Sequence, residues 1–110
     1  APFVRPLKRS LDDLRNATVW FMANAMTKPV NGAAGATDYM HLLGLVALGA
    51  MWGRIALAIR DKGDAATPAQ RDDLAFGRVF MERTMPETAL RLARIKAGAD
   101  TLMAIPDAAF

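Results

Sequence analysis

Between His41 and Ile59 the chain reads HLLGLVALGAMWGRIALAI, and Arg54 is the only charged residue in the run. A segment this apolar leaves few options. A membrane span needs about twenty mostly apolar residues, which this run approaches. Arg54 lies two-thirds of the way along it, where an arginine costs roughly 2.5–3.5 kcal/mol on insertion scales. The flanking segments are amphipathic in the manner of soluble helices. The reading favoured is therefore a central helix wrapped by protein, since a helix apolar around most of its circumference must be buried on more than one side. Two partner helices are few to cover such a circumference. Gly49 and Gly53, one turn apart, predict a tight helix crossing. A large residue at either glycine should overpack that crossing, at a cost of roughly 1–3 kcal/mol.

The flanks place the other elements. Leu7, Leu11, Leu14, Thr18, Phe21, Met22 and Ala25 recur at helical spacing opposite a charged face of Lys8, Arg9, Asp12, Asp13 and Arg15. Pro6 suits a first helical turn, and Pro29 cannot continue a helix, so this element should end near Met26. The stretch Thr27 to Ala36, with Pro29, Asn31, Gly32 and Gly35, has the composition of a linker. Thr37 then serves as N-cap of the apolar helix, with Asp38 favourably placed on its dipole. That helix should stop at Lys62–Gly63. Thr67-Pro68-Ala69-Gln70 has the form of a capping box that opens a third helix. Pro86 should bend or break this helix between Thr84 and Glu87, straining it by roughly 3 kcal/mol unless a kink absorbs the proline. Gly98 marks its end, and a short helical turn precedes Pro106. No segment alternates with the period of a strand. The expected fold is all-α, an antiparallel bundle of three long helices plus a short C-terminal helix, in a single domain over residues 1–110.

Composition excludes much chemistry. The chain has no cysteine, so disulfides and thiolate metal sites are impossible, and a cytoplasmic origin fits best. The net charge of +3 is dispersed among acids along every amphipathic face, which argues against a nucleic-acid partner. His41 is the only histidine and Ser10 the only serine, on different helices with no elbow motif, so neither a two-histidine metal site nor a serine triad is expected. His41 is read as a partly buried side chain held by a local partner. Glu82 and Glu87 sit beside Arg78, Arg83 and Arg91 and are read as solvated ion pairs, worth at most about 1 kcal/mol each. No glycine pattern that cradles phosphates occurs, and Asn31 to Ala36 lacks the lysine such a loop would need. Trp20, Phe21, Trp52, Phe76 and Phe80 are assigned to the core rather than to a stacking platform, and most of the seven methionines to core filling. No catalytic, cofactor-binding or metal-binding residue is assigned.

Three ordered phrases carry a family resemblance: the Tyr39-to-Trp52 run, F-M-E-R-x-x-P at Phe80 to Pro86, and I-K-A-G-A-D-x-L-M at Ile95 to Met103. With the opening helix, PFVRPLKRSLDDLRNATVWFMAN, they make nearly the whole chain similar to the C-terminal helical domain of the large acyl-CoA dehydrogenases, the type that includes the methylmercaptopropionyl-CoA dehydrogenases. The resemblance implies a larger parent flavoenzyme, homo-oligomeric, that oxidises an acyl-CoA to its enoyl-CoA with FAD. In that family the catalytic glutamate and the main FAD contacts belong to a dehydrogenase core upstream, and no residue here matches the glutamate's motif. This chain would then be an accessory domain, inactive alone and without a cofactor of its own. Its partners would be the upstream core and a second subunit, with no membrane and no nucleic acid. The residues alone leave open a free-standing helical module that binds an amphipathic partner helix in a Met- and Leu-lined groove.

Overall fold

A computed structural model describes residues 2–110, and among them every regular element is helical. The long elements are α1 (Val4–Asn24), α2 (Pro29–Lys62), α3 (Pro68–Val79) and α4 (Glu87–Lys96); a one-turn helix, α5 (Asp100–Met103), follows. A π-helical turn, Phe80–Thr84, joins α3 to α4, so the two form one interrupted arm. The all-α expectation holds, with α1, α2 and this arm as the three long members.

The start of α2 differs from the sequence reading. The helix begins at Pro29, with Lys28 at the N-cap position, and Thr37 lies a further two turns inside it. The segment read as a linker is therefore mostly helix. Its glycines serve packing: a Cβ at Gly35 would come within 2.9 Å of the Phe21 ring, and one at Gly32 within 3.1 Å of Ala25. Contacts of Gly32 with Ala25, Tyr39 with Thr18 and Gly53 with Leu7 run in opposite chain directions, so α1 lies antiparallel to α2.

The other boundaries follow the expected signals. Thr67 accepts the Gln70 N–H at 3.2 Å while Gln70 Oε1 accepts the Thr67 N–H at 2.9 Å, closing the capping box. Gly63 and Gly98 adopt positive φ at the stops of α2 and α4. At Pro86 the missing N–H and the ring's demand for space are met by widening the preceding turn, where the Met85 N–H reaches back five residues to the Phe80 carbonyl at 3.0 Å. This register turns both Met81 and Met85 into the interior.

The core is small. Ala17, Leu42, Val46 and Ile95 are buried together, with Leu14, Trp20, Phe21, Tyr39 and Leu92 packed around them. Phe21 makes edge-on contacts with Trp20 and Tyr39, with centroids at 5.7 and 5.1 Å. Along α1 the buried stripe is narrower than its periodicity suggested. Ser10 and Ala17 are fully covered, whereas Leu11 and Met22 face solvent.

The outline is flat and long, 64 × 29 × 16 Å with a radius of gyration of 18.2 Å. A compact domain of this length has a radius near 13 Å. The exposed surface is 7561 Å². A compact protein of 11.9 kDa exposes about 5,900 Å², so the chain carries about 1,600 Å² of surface in excess.

Candidate interaction surface

Two polar clusters fix how the helices sit. Asp38, inside α2 rather than at its start, is buried and accepts a hydrogen bond from Arg91 Nη1 at 2.8 Å, with Arg94 Nε at 3.4 Å from the same oxygen. The pair is largely sealed, with side-chain exposures of 10% for Asp38 and 18% for Arg91. The hydrogen bond to Asp38 is the main influence holding the Arg91 guanidinium above its ordinary range; burial opposes it and Glu87 adds to it. A raised arginine adds stability that is present below its unfolded range and is lost in strong alkali. Glu87 meets Arg91 at 3.3 Å one turn away, as an ion pair, whereas Glu82 is simply exposed. The second cluster ties the arm to α1 through Thr88, which donates to Asp13 at 2.8 Å. At the far end Asn31 Oδ1 accepts the Ala99 N–H at 3.0 Å, and Lys28 pairs with Asp100.

These contacts are structural, and the structure does not assemble the remaining reactive residues. Ser10 is buried, its hydroxyl donating to the Leu7 carbonyl at 2.7 Å. His41 is exposed on α2, not partly buried as its position in an apolar run suggested. It falls on the arc of α2 that neither α1 nor the arm reaches. Among the described residues no group of three histidine, aspartate or glutamate side chains is placed to hold a metal ion.

The distinctive feature is that arc. Leu42, Val46 and Gly49 face inward, toward α1 and the arm. On the opposite side Ala33, Ala36, Met40, Leu43, Gly44, Ala47, Leu48, Met51, Ile55 and Ala58 are all exposed. Arg54 is the one formal charge among the residues facing outward between Ala33 and Ala58, a stretch about 38 Å long at 1.5 Å per residue. The expectation of a helix enclosed by its neighbours thus holds for one side only. Over an 18-residue window α2 reaches a mean hydropathy of 1.9 with 22% of that window buried, and by length and composition it could cross a membrane.

The methionines correct the sequence reading too. Only Met81 and Met85 fill the core, while Met22, Met26, Met40, Met51 and Met103 are exposed. Phe76, assigned to the core, is also exposed. The glycine pair is only half as tight as expected. A Cβ at Gly49 would meet the buried Met85 tip at 2.7 Å, but one at Gly53 meets Leu7 at an ordinary 3.4 Å. Another close approach, missed in the sequence, is at Gly77, where the Phe3 and Trp52 rings both stand 2.9 Å from a would-be Cβ. Its only sequence signal was a lone glycine inside an amphipathic helix.

The arc continues into an apolar groove of about 500 Å³ between the start of α1, the C-terminal half of α2 and Leu74 of α3. Phe3, Leu7 and Leu57 line it, and Arg54 and Arg60 supply its charge. No methionine lines it, so it is not the Met-lined groove the sequence suggested. The glycine-bearing segment Asn31 to Ala36 lies within α2, where backbone N–H groups beyond the first turn are spent on helix carbonyls rather than free to hold phosphates.

A thin helical layer with one sealed internal ion pair and one bare apolar helix face is the class of all-α domain this chain forms. The particular family is given by comparison with known proteins. Residues 1–106 match the family described as acetyl-CoA dehydrogenase C-terminal like, and the chain belongs to it. No curated protein matches the chain.

Proposed function

We propose that this chain is an accessory helical domain of a FAD-dependent acyl-CoA dehydrogenase of the large, methylmercaptopropionyl-CoA dehydrogenase-like type, serving assembly rather than chemistry. In this reading the parent oxidises an acyl-CoA to its enoyl-CoA, with the catalytic glutamate and FAD in a dehydrogenase core upstream. The observation that carries the reading is the outer face of α2, which is as apolar as its inner face yet uncovered by this chain. Exposed apolar surface on this scale marks a contact site. The sealed Asp38–Arg91 pair and the charged outer face of α1 suit a water-facing neighbour better than lipid. The free-standing interaction module gains less support, because membership over residues 1–106 of a family described as acetyl-CoA dehydrogenase C-terminal like favours a domain of a larger enzyme.

The test is direct. The purified chain is mixed with FAD and an acyl-CoA, and its visible spectrum is followed. The flavin spectrum should remain that of free FAD, with no bleaching by substrate. Stoichiometric flavin uptake or turnover would overturn the assembly reading.

A further inference from the structure

We propose that the outer face of α2 is a two-fold interface, on which α2 of a second copy of this chain packs antiparallel with its centre between Gly44 and Ala47. The proposal deepens the assembly reading above by naming the occupant of the bare face.

Gly44 supplies the first argument. A glycine inside a helix destabilises it relative to alanine, so an internal neighbour usually accounts for it. Three of the other four glycines of α2 have a close one, Gly32 against Ala25, Gly35 against Phe21 and Gly49 against Met85, and the fourth, Gly53, touches Leu7 at an ordinary distance. At Gly44 a Cβ would meet nothing within 4 Å. Nothing inside this chain calls for a glycine there, whereas close approach of a helix from outside would.

The order of side chains supplies the second. Outward from the centre the face reads Gly44 and Ala47, then Leu43 and Leu48, then Met40 and Met51. A two-fold interface must be complementary to itself, each residue i meeting j while j meets i. In the antiparallel arrangement small meets small, leucine meets leucine and methionine meets methionine. Arg54 then faces Thr37 of the other copy, and the two Arg54 side chains sit about 25 Å apart along the helices. A parallel pair in register would bring the two arginines together, so the antiparallel pair is selected by charge as well as by shape.

The shape of the chain allows it: over its whole length it exposes about 1,600 Å² more than a compact protein of its mass, and a stable interface of standard size takes about 800 Å² from each partner.

The experiment is sedimentation of the chain at increasing concentration, with Ala47→Asp and Gly44→Arg as separate variants and circular dichroism to verify that each keeps its helix content. The parent chain should form a dimer, and each variant should weaken dimerisation by at least ~100-fold. The chain lacks cysteine, so introduced thiols report the register. Chains carrying Leu43→Cys and chains carrying Leu48→Cys should cross-link to each other faster than either does to itself. Several outcomes overturn the proposal: a chain that stays monomeric at tens of micromolar, a dimer indifferent to both substitutions, faster self-linking of each cysteine variant, or partition of the chain into lipid vesicles in place of dimerisation. The flavin test can be read on monomer or dimer alike, so the two proposals fail separately.

Discussion

The two faces of α2 have nearly the same chemistry and different fates. Inward, Leu42, Val46 and Gly49 are sealed by α1 and the arm; outward, Leu43, Ala47 and Leu48 stay exposed. Adjacent residues in one helix, alike in size and polarity, thus differ only in what lies beyond them. Apolarity alone does not specify a private core. It specifies a covered surface, and the cover can come from another molecule.

That contrast can be broken by paired substitutions, read by urea unfolding at concentrations low enough to hold the chain monomeric. The largest difference is expected at adjacent leucines. Leu42→Ala should cost about 3 kcal/mol, because it empties a fully buried site, whereas Leu43→Ala should change monomer stability by less than about 0.5 kcal/mol. Equal losses at both positions would mean that the outer face is already covered within the monomer. The glycines offer a smaller and opposite pair. Gly35→Leu should cost about 2 kcal/mol by driving a side chain into the Phe21 ring. Gly44→Ala should instead stabilise the monomer by about 0.5–1 kcal/mol, since the helix gains propensity and nothing is displaced. A destabilised Gly44→Ala monomer would place an unseen neighbour inside the chain.

What the sequence revealed, and what it hid, divides along the range of the interactions. Local chemistry was legible: the Thr67–Gln70 box, the stops at Gly63 and Gly98, and the interruption at Pro86 all act within a turn or two of chain. Distant partners were not. Asp38 looked like a dipole-favoured acid at a helix start because its partner, Arg91, lies 53 residues on. Gly32 and Gly35 looked like part of a linker because the side chains that need their space, Ala25 and Phe21, lie on and just beyond another helix. Methionine and histidine at apolar spacing were assigned inward by periodicity, which cannot separate two faces that are both apolar. For the candidate surface, the sequence announced the apolar excess and the structure decided which residues carry it.

Methionine oxidation tests the covered face most directly, since the side chains involved carry their own controls. Dilute peroxide is applied to the protein at assembling concentration, and sulfoxide formation is followed residue by residue by mass spectrometry. Met81 and Met85, buried by the fold, set the slow limit; Met22 and Met26, exposed on α1 and just beyond its end, set the fast one. A covered outer face predicts that Met40 and Met51 react slowly in the assembled protein and quickly once Ala47→Asp has separated the chains. Reaction of Met40 and Met51 as fast as Met26 in the assembled protein would contradict it.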